Sequence, residues 1–135
     1  MIVDTSALIA LFNDRDPAHA ITRDLMAQVR EPLVLSPYVL AELDHMLATR
    51  LGVERELTVL RELAGEAWTH ASFGVNEMRV AIGVIARYAD LKIGLADASN
   101  VVLADRYSTR TIATLDRRHF GAVRPLHGGR FSLVP

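Results

Sequence analysis

Met1-Ile2-Val3-Asp4-Thr5-Ser6-Ala7-Leu8 is a short apolar run that meets a carboxylate and turns at once into a helical pattern. It reads as the first strand and first helix of an α/β fold. In open α/β sheets, ligands bind outside the carboxyl ends of parallel strands, close to where strand order reverses, so an acid at a strand end stands where chemistry is usually found. Taken alone, Asp4 reads first as the N-cap of the helix, since Asp is a preferred capping residue. Carboxylates at equivalent places elsewhere in the chain decide between the two.

Working outward, Thr5 to Phe12 is a short helix closed by the turn cluster Asn13-Asp14-Arg15-Asp16-Pro17. From Ala18 to Arg30, the residues Ile21, Leu25 and Val29 recur at spacings of four, the mark of an amphipathic helix packed on a sheet. Leu33-Val34-Leu35 is an unbroken apolar run suited to a strand buried on both faces of a parallel sheet. Ser36-Pro37, a cap followed by proline at the first helical position, opens a helix that runs to Arg50. Its apolar stripe is Val39, Leu40, Leu43, Met46 and Leu47, with Tyr38, Glu42 and His45 on the adjoining face.

After Gly52 a helix from Val53 to Glu66 presents Val53, Leu57, Leu60, Leu63 and Ala64, and forms a hairpin with its predecessor. Ala67 to Phe73 reads as a short edge strand, and Asn76 offers a cap for a helix spanning about Val75 to Asp90. Its inward positions are Met78, Ala81, Ile82, Ile85 and Tyr88. Asp97 then stands at a helix start among the small residues Ala96, Ala98 and Ser99, with Asn100 three residues on along the same face. Asn100 reads as a further site residue or as a packing and capping group. Thr111 to Thr114 is a strand that runs into Asp116, Arg117 to Gly121 a helical turn, and Phe131 to Val134 a final edge strand. Strands alternating with helices imply a doubly wound, mostly parallel sheet.

At 135 residues the length suits one domain, 1–135. No apolar run approaches the ~20 residues of a membrane span, there is no cysteine, and Asp4 interrupts any signal-like start, so a cytoplasmic setting without a membrane is expected. The formal net charge of −1 argues against an indiscriminate polyanion binder. Residues 100–135 nevertheless hold six arginines against two aspartates, a basic end on an acidic body. Arg117 and Arg118 in that end are candidate phosphate contacts, with surface solvation as the plainer role for either.

Asp4 follows the first strand, Glu42 lies in the helix after the second, Asp97 starts the penultimate helix and Asp116 follows a late strand, and a doubly wound sheet can gather all of them at one end. At ~5 Å and an effective dielectric of ~20, each pair repels by roughly 3 kcal/mol. Such a cluster calls for a cation. Oxygen ligands without cysteine or a His-x-x-x-His pair suit Mg²⁺, with Mn²⁺ as a substitute, better than zinc. The histidines, His19, His45, His70, His119 and His127, are scattered and read as surface or packing residues.

Met-Ile-Val-Asp4-Thr-Ser-Ala-Leu-Ile, Glu42 in its helix, Gly-Leu-Ala-Asp97-Ala and Ala-Thr114-Leu-Asp116-Arg-Arg-His-Phe120 together resemble the PIN-domain ribonucleases of the VapC toxin type over the whole length. The resemblance implies a three-layer α/β/α sandwich around about five strands. It also implies a metal-dependent endoribonuclease acting on RNA, a homodimer, and inhibition by a cognate VapB-like antitoxin. By position, Asp4, Asp97 and Asp116 would hold the metal, Glu42 would complete the catalytic quartet as base or ligand, and the Ser6 and Thr114 hydroxyls would orient acids or waters. Thr5 joins Ser6 as a candidate support for Asp4. Two other readings stand beside this one: a non-catalytic module that binds nucleic acid or protein, and a metal-dependent nuclease or phosphatase acting on DNA or small phosphoesters. The intact quartet speaks against the first, and only the resemblance points to RNA.

Overall fold

The computed structural model describes residues 1–135. Five strands, β1 (Ile2–Val3), β2 (Leu33–Leu35), β3 (Trp68–His70), β4 (Thr111–Ala113) and β5 (Ser132–Val134), form one sheet in the order β3-β2-β1-β4-β5. Every neighbouring pair is parallel, with Ile2 beside both Val34 and Ile112. Parallel neighbours need crossover connections, and helices supply them. They are α1 (Thr5–Phe12), α2 (His19–Gln28), α3 (Pro37–Arg50), α4 (Val53–Leu63), α5 (Val75–Arg87), α6 (Leu95–Arg106) and α7 (Arg117–Ala122), with a 3-10 turn at Ala89–Leu91.

The sheet divides the interior into two cores. On one face Ile2, Val34 and Ile112 pack with Ala81, Val84, Ala98, Val101, Leu103 and Phe120 from α5, α6 and α7. On the other, Val3, Leu33, Leu35 and Ala113 pack with Leu8, Val39, Leu43, Leu47, Val59 and Leu63 from α1, α3 and α4. This is the expected α/β/α sandwich, and the sheet proves wholly parallel. The order reverses at β1, whose neighbours β2 and β4 leave in opposite directions, and Asp4 is the first residue beyond it.

Three helix faces differ from their periodic reading. In α2, Ile21 is 57% exposed and the fully buried residue is Thr22, so the helix lies on the Thr22, Leu25 and Met26 side. In α4, Val53 and Leu57 are exposed while Val59 and Leu63 are buried. In α5, Ile82 faces outward and Ala81 and Val84 inward, and the cap is Gly74, whose N–H donates to Glu77, in place of Asn76. In each helix, apolar residues occur on more than one side, and the tertiary neighbours choose the side.

Candidate active site

Asp4 leaves β1 with extended backbone (φ −90°, ψ 158°) and caps α1. Its main-chain N–H still donates to Ala113 O at 2.9 Å, so the residue is held in sheet register while its side chain turns out of the strand. The carboxylate is 4% exposed. Oδ2 accepts from Ser6 Oγ at 2.7 Å and Thr114 Oγ1 at 2.8 Å, and Oδ1 accepts from Asn100 Nδ2 at 3.2 Å. Asp4 is therefore the cap of α1 and at the same time lines the cavity at the end of β1.

The two hydroxyls also reach across to the second strand end. Ser6 Oγ lies 3.1 Å from Thr114 Oγ1 and accepts the Leu115 N–H at 2.9 Å, while Thr114 Oγ1 accepts the Asp116 N–H at 3.0 Å. Asp116 Oδ1 in turn accepts the N–H groups of Arg118 and His119, both at 3.0 Å, as the N-cap of α7. One chain of hydrogen bonds thus runs from the end of β1 to the end of β4.

Asp97 is the third residue of α6, which Gly94 caps. Its Oδ2 folds back to the Gly94 N–H at 3.3 Å. A buried contact between Ser36 Oγ and Ser99 Oγ, 2.6 Å, ties the start of α6 to the end of β2. Glu42 is exposed on α3, and its Oε2 accepts from Thr5 Oγ1 at 2.6 Å. Thr5 thus supports Glu42, whereas Ser6 supports Asp4.

Asp4, Glu42, Asp97 and Asp116 line one open cavity of about 340 Å³, together with Thr5, Ser6, Asp16 and His119. No lysine or arginine lines it. Burial pushes the Asp4 carboxyl above its ordinary 3.8, against the opposing pull of the Ser6 and Thr114 hydroxyls. Asp97 is also pushed up, first by burial and then by the charge on Asp4, with Asp116 adding to it and the Gly94 N–H and His119 opposing. Asp97 therefore feels the charges of Asp4 and Asp116, as a carboxylate beside others does.

An oxygen-rich, mutually repelling pocket without a fixed basic residue fits a hard divalent cation. As they stand, no three acidic or histidine side chains converge closely enough to hold an ion. The reason is visible in their partners: Asp4 is turned to its three side-chain donors, Glu42 to Thr5, and Asp97 and Asp116 to His119.

His119 is the residue that the sequence reading misplaced. Its Nδ1 lies 3.0 Å from Asp97 Oδ2 and 3.2 Å from Asp116 Oδ2. The spacing of three from Asp116 was a usable signal; the approach to Asp97 is tertiary and was not. Asn100 is fully buried on the donor side of Asp4. Arg117 and Arg118 are exposed and outside the cavity lining, the Arg117 guanidinium donating to the main-chain oxygen of Pro135 at 2.6 Å.

Residues 1–124 match the PIN domain family. Ribonuclease VapC26 of Mycobacterium tuberculosis is 56% identical over 135 residues, covering 100% of both chains. The chain belongs to the PIN-domain family. Among solved structures, VapC20 of Mycobacterium tuberculosis, a sarcin-ricin loop cleaving toxin, superposes on this PIN-domain chain with a TM-score of 0.85 at 19% identity, over 99% of this chain and 98% of that one. DNA-bound VapBC from Salmonella typhimurium gives 0.73 at 17% identity, over 98% and 96%. VapBC2 from Rickettsia felis, bound to a promoter DNA fragment, gives 0.72 at 15%, over 99% and 98%. At these identities the solved structures establish the PIN fold, and no helix of it is long and apolar enough to cross a membrane.

Proposed function

We propose that this PIN-domain chain is a VapC-type endoribonuclease that hydrolyses RNA phosphodiester bonds with Mg²⁺, which Mn²⁺ replaces, as a single domain over residues 1–135. The observation that carries the reading is the convergence of Asp4, Glu42, Asp97 and Asp116 on one cavity that no lysine or arginine lines. Asp4, Asp97 and Asp116 would hold the ion, which when bound activates water and stabilises charge developing on the phosphate. Asp4 is the fixed point, since Ser6, Thr114 and Asn100 leave its carboxylate little freedom. Asp97 and Asp116 bring the remaining charge from α6 and the N-terminus of α7.

Glu42 has Oε2 held by Thr5, which leaves Oε1 to orient a water and take its proton. Arg117 and Arg118 stand outside the cavity on α7 and would contact phosphates flanking the scissile one. A VapB-like antitoxin as inhibitory partner, a homodimeric state and a cytoplasmic setting complete the reading, supported by the family and by the similarity to Ribonuclease VapC26.

The test is cleavage of total cellular RNA by the purified chain with Mg²⁺, with EDTA, and after Asp4→Asn or Asp97→Asn. Cleavage in Mg²⁺ alone, lost in the other three conditions, is expected. Cleavage that persists in EDTA or in either variant would sink the metal mechanism, and equal cleavage of single-stranded DNA would favour the DNA-nuclease alternative.

A further inference from the structure

We propose that His119 competes with a metal ion for the site: its imidazole holds the outer carboxylates of Asp97 and Asp116 together in the metal-free protein and so lowers the affinity for the ion. This rests on the metal-dependent reading above. Carboxylates accept and do not donate, so the ring nitrogen between them, 3.0 Å from Asp97 Oδ2 and 3.2 Å from Asp116 Oδ2, carries the hydrogen. The Nδ1-protonated neutral ring and the doubly protonated ring both supply that N–H.

The position follows from the local chain. Asp116 caps α7, the N–H groups of Arg118 and His119 take its Oδ1, and the His119 ring at the third helical position folds back onto the remaining Oδ2. The same ring reaches Asp97 on α6. No other side chain donates to Asp97 or Asp116, whereas Asp4 has three such donors. The imidazole N–H draws both Oδ2 atoms towards itself, and Asp97 Oδ2 also accepts from the Gly94 N–H, so an ion that takes these two oxygens competes with the ring for them. His119 is thus a positioning residue that acts through its carboxylate partners.

The experiment measures Mn²⁺ binding at one fixed pH, from the electron paramagnetic resonance signal of free Mn²⁺, for the wild type, His119→Ala, His119→Gln and Asp97→Asn. Loss of a charge-assisted hydrogen bond corresponds to roughly tenfold in an equilibrium, so His119→Ala should bind Mn²⁺ about tenfold more tightly, with His119→Gln between it and the wild type. In the wild type, nitrogen-15 resonances of the His119 ring should move in step with Mg²⁺ saturation, a measurement independent of how the variants fold. Unchanged or weaker Mn²⁺ binding in both His119 variants, or ring resonances indifferent to Mg²⁺, overturns the proposal. If Asp97→Asn abolishes binding while the His119 variants match the wild type, the metal site stands and the role of His119 falls. A wild type that binds no Mn²⁺ refutes the metal reading itself.

Discussion

Asp4→Asn should make the metal-free protein more stable while abolishing RNA cleavage. The substitution removes a buried negative charge at nearly constant volume. Asparagine keeps an oxygen towards Ser6 Oγ and Thr114 Oγ1, the 2.7 and 2.8 Å partners of the present carboxylate, and turns a nitrogen towards Asn100. Asn100 Oδ1 is buried without a partner, so a half-turn of that amide offers an acceptor to the new nitrogen. One Asn100 atom lacks a partner before and after, so the tally of unsatisfied groups does not worsen.

Losing the charged character of these bonds costs about 1 kcal/mol each. Removing the buried charge returns several kcal/mol, and relief of the repulsion that raises Asp97 adds to it. The balance is a gain of about 1–2 kcal/mol, or roughly 3–8 °C in Tm for a domain of this size. Asp4→Ala instead leaves Ser6, Thr114 and Asn100 facing a hole and should lose about 2–4 kcal/mol. Urea and thermal unfolding in EDTA at neutral pH read both variants. Saturating Mn²⁺ at about 100 times its Kd should add about 2.7 kcal/mol to the wild type and nothing to Asp4→Asn, reversing their order. An Asn variant as unstable in EDTA as the Ala variant would refute this reasoning.

Asp4 and Asp97 hold protons above the ordinary 3.8, so the folded chain binds them more tightly than the unfolded chain does. Their contribution to metal-free stability is therefore full below 3.8 and declines as pH rises through the raised values; urea unfolding in EDTA over about pH 4–7 should show a shallower decline for Asp4→Asn than for the wild type. Mn²⁺ must expel the same protons, so its affinity should weaken in mildly acidic buffer by calorimetric titration. Glu42→Gln should lower the RNA cleavage rate by about 10²–10³-fold with stability within about 0.5 kcal/mol of wild type, because the residue is exposed. Thr114→Val, which keeps shape but removes the link between Asp4 and the Asp116 N–H, should cost about 10–100-fold in activity together with about 1–3 kcal/mol on unfolding. Arg118→Ala should leave the metal affinity unchanged and reduce the salt slope of RNA binding by about 1 in a fluorescence anisotropy series.

Most of the fold was legible because the strands are continuous apolar runs and the helices carry strong punctuation. Ser36-Pro37 marked α3 to the residue, and Leu33 to Leu35 marked β2. Asp4, Thr114 and Asp116 were legible for the same reason, since each stands where a strand pattern breaks. The faces of α2, α4 and α5 were not, because Ile21, Val53 and Ile82 satisfy helical spacing on the side that the sheet does not use. The partners of the acids were least legible. Thr5 and Ser6 are adjacent, yet the helical turn sends one hydroxyl to Glu42 and the other to Asp4. His119 and Asp97 come together only once α6 and α7 are packed, and no spacing in the chain announces it.

The pairing of β1 with β4 carries a consequence for how the protein is born. Ile2 and Val3 are made well before their partners Ile112 and Ala113. Chains fold from the amino end as they are made, and contacts of such long sequence separation form late. Asp4 and Glu42 are made well before Thr114, Asp116 and His119, and the hydrogen bonds that join Asp4 to Thr114 form only once β4 has docked beside β1. The cavity is thus assembled by the slowest kind of contact in the fold, and a chain whose β1–β4 pairing has opened has no cavity of this shape.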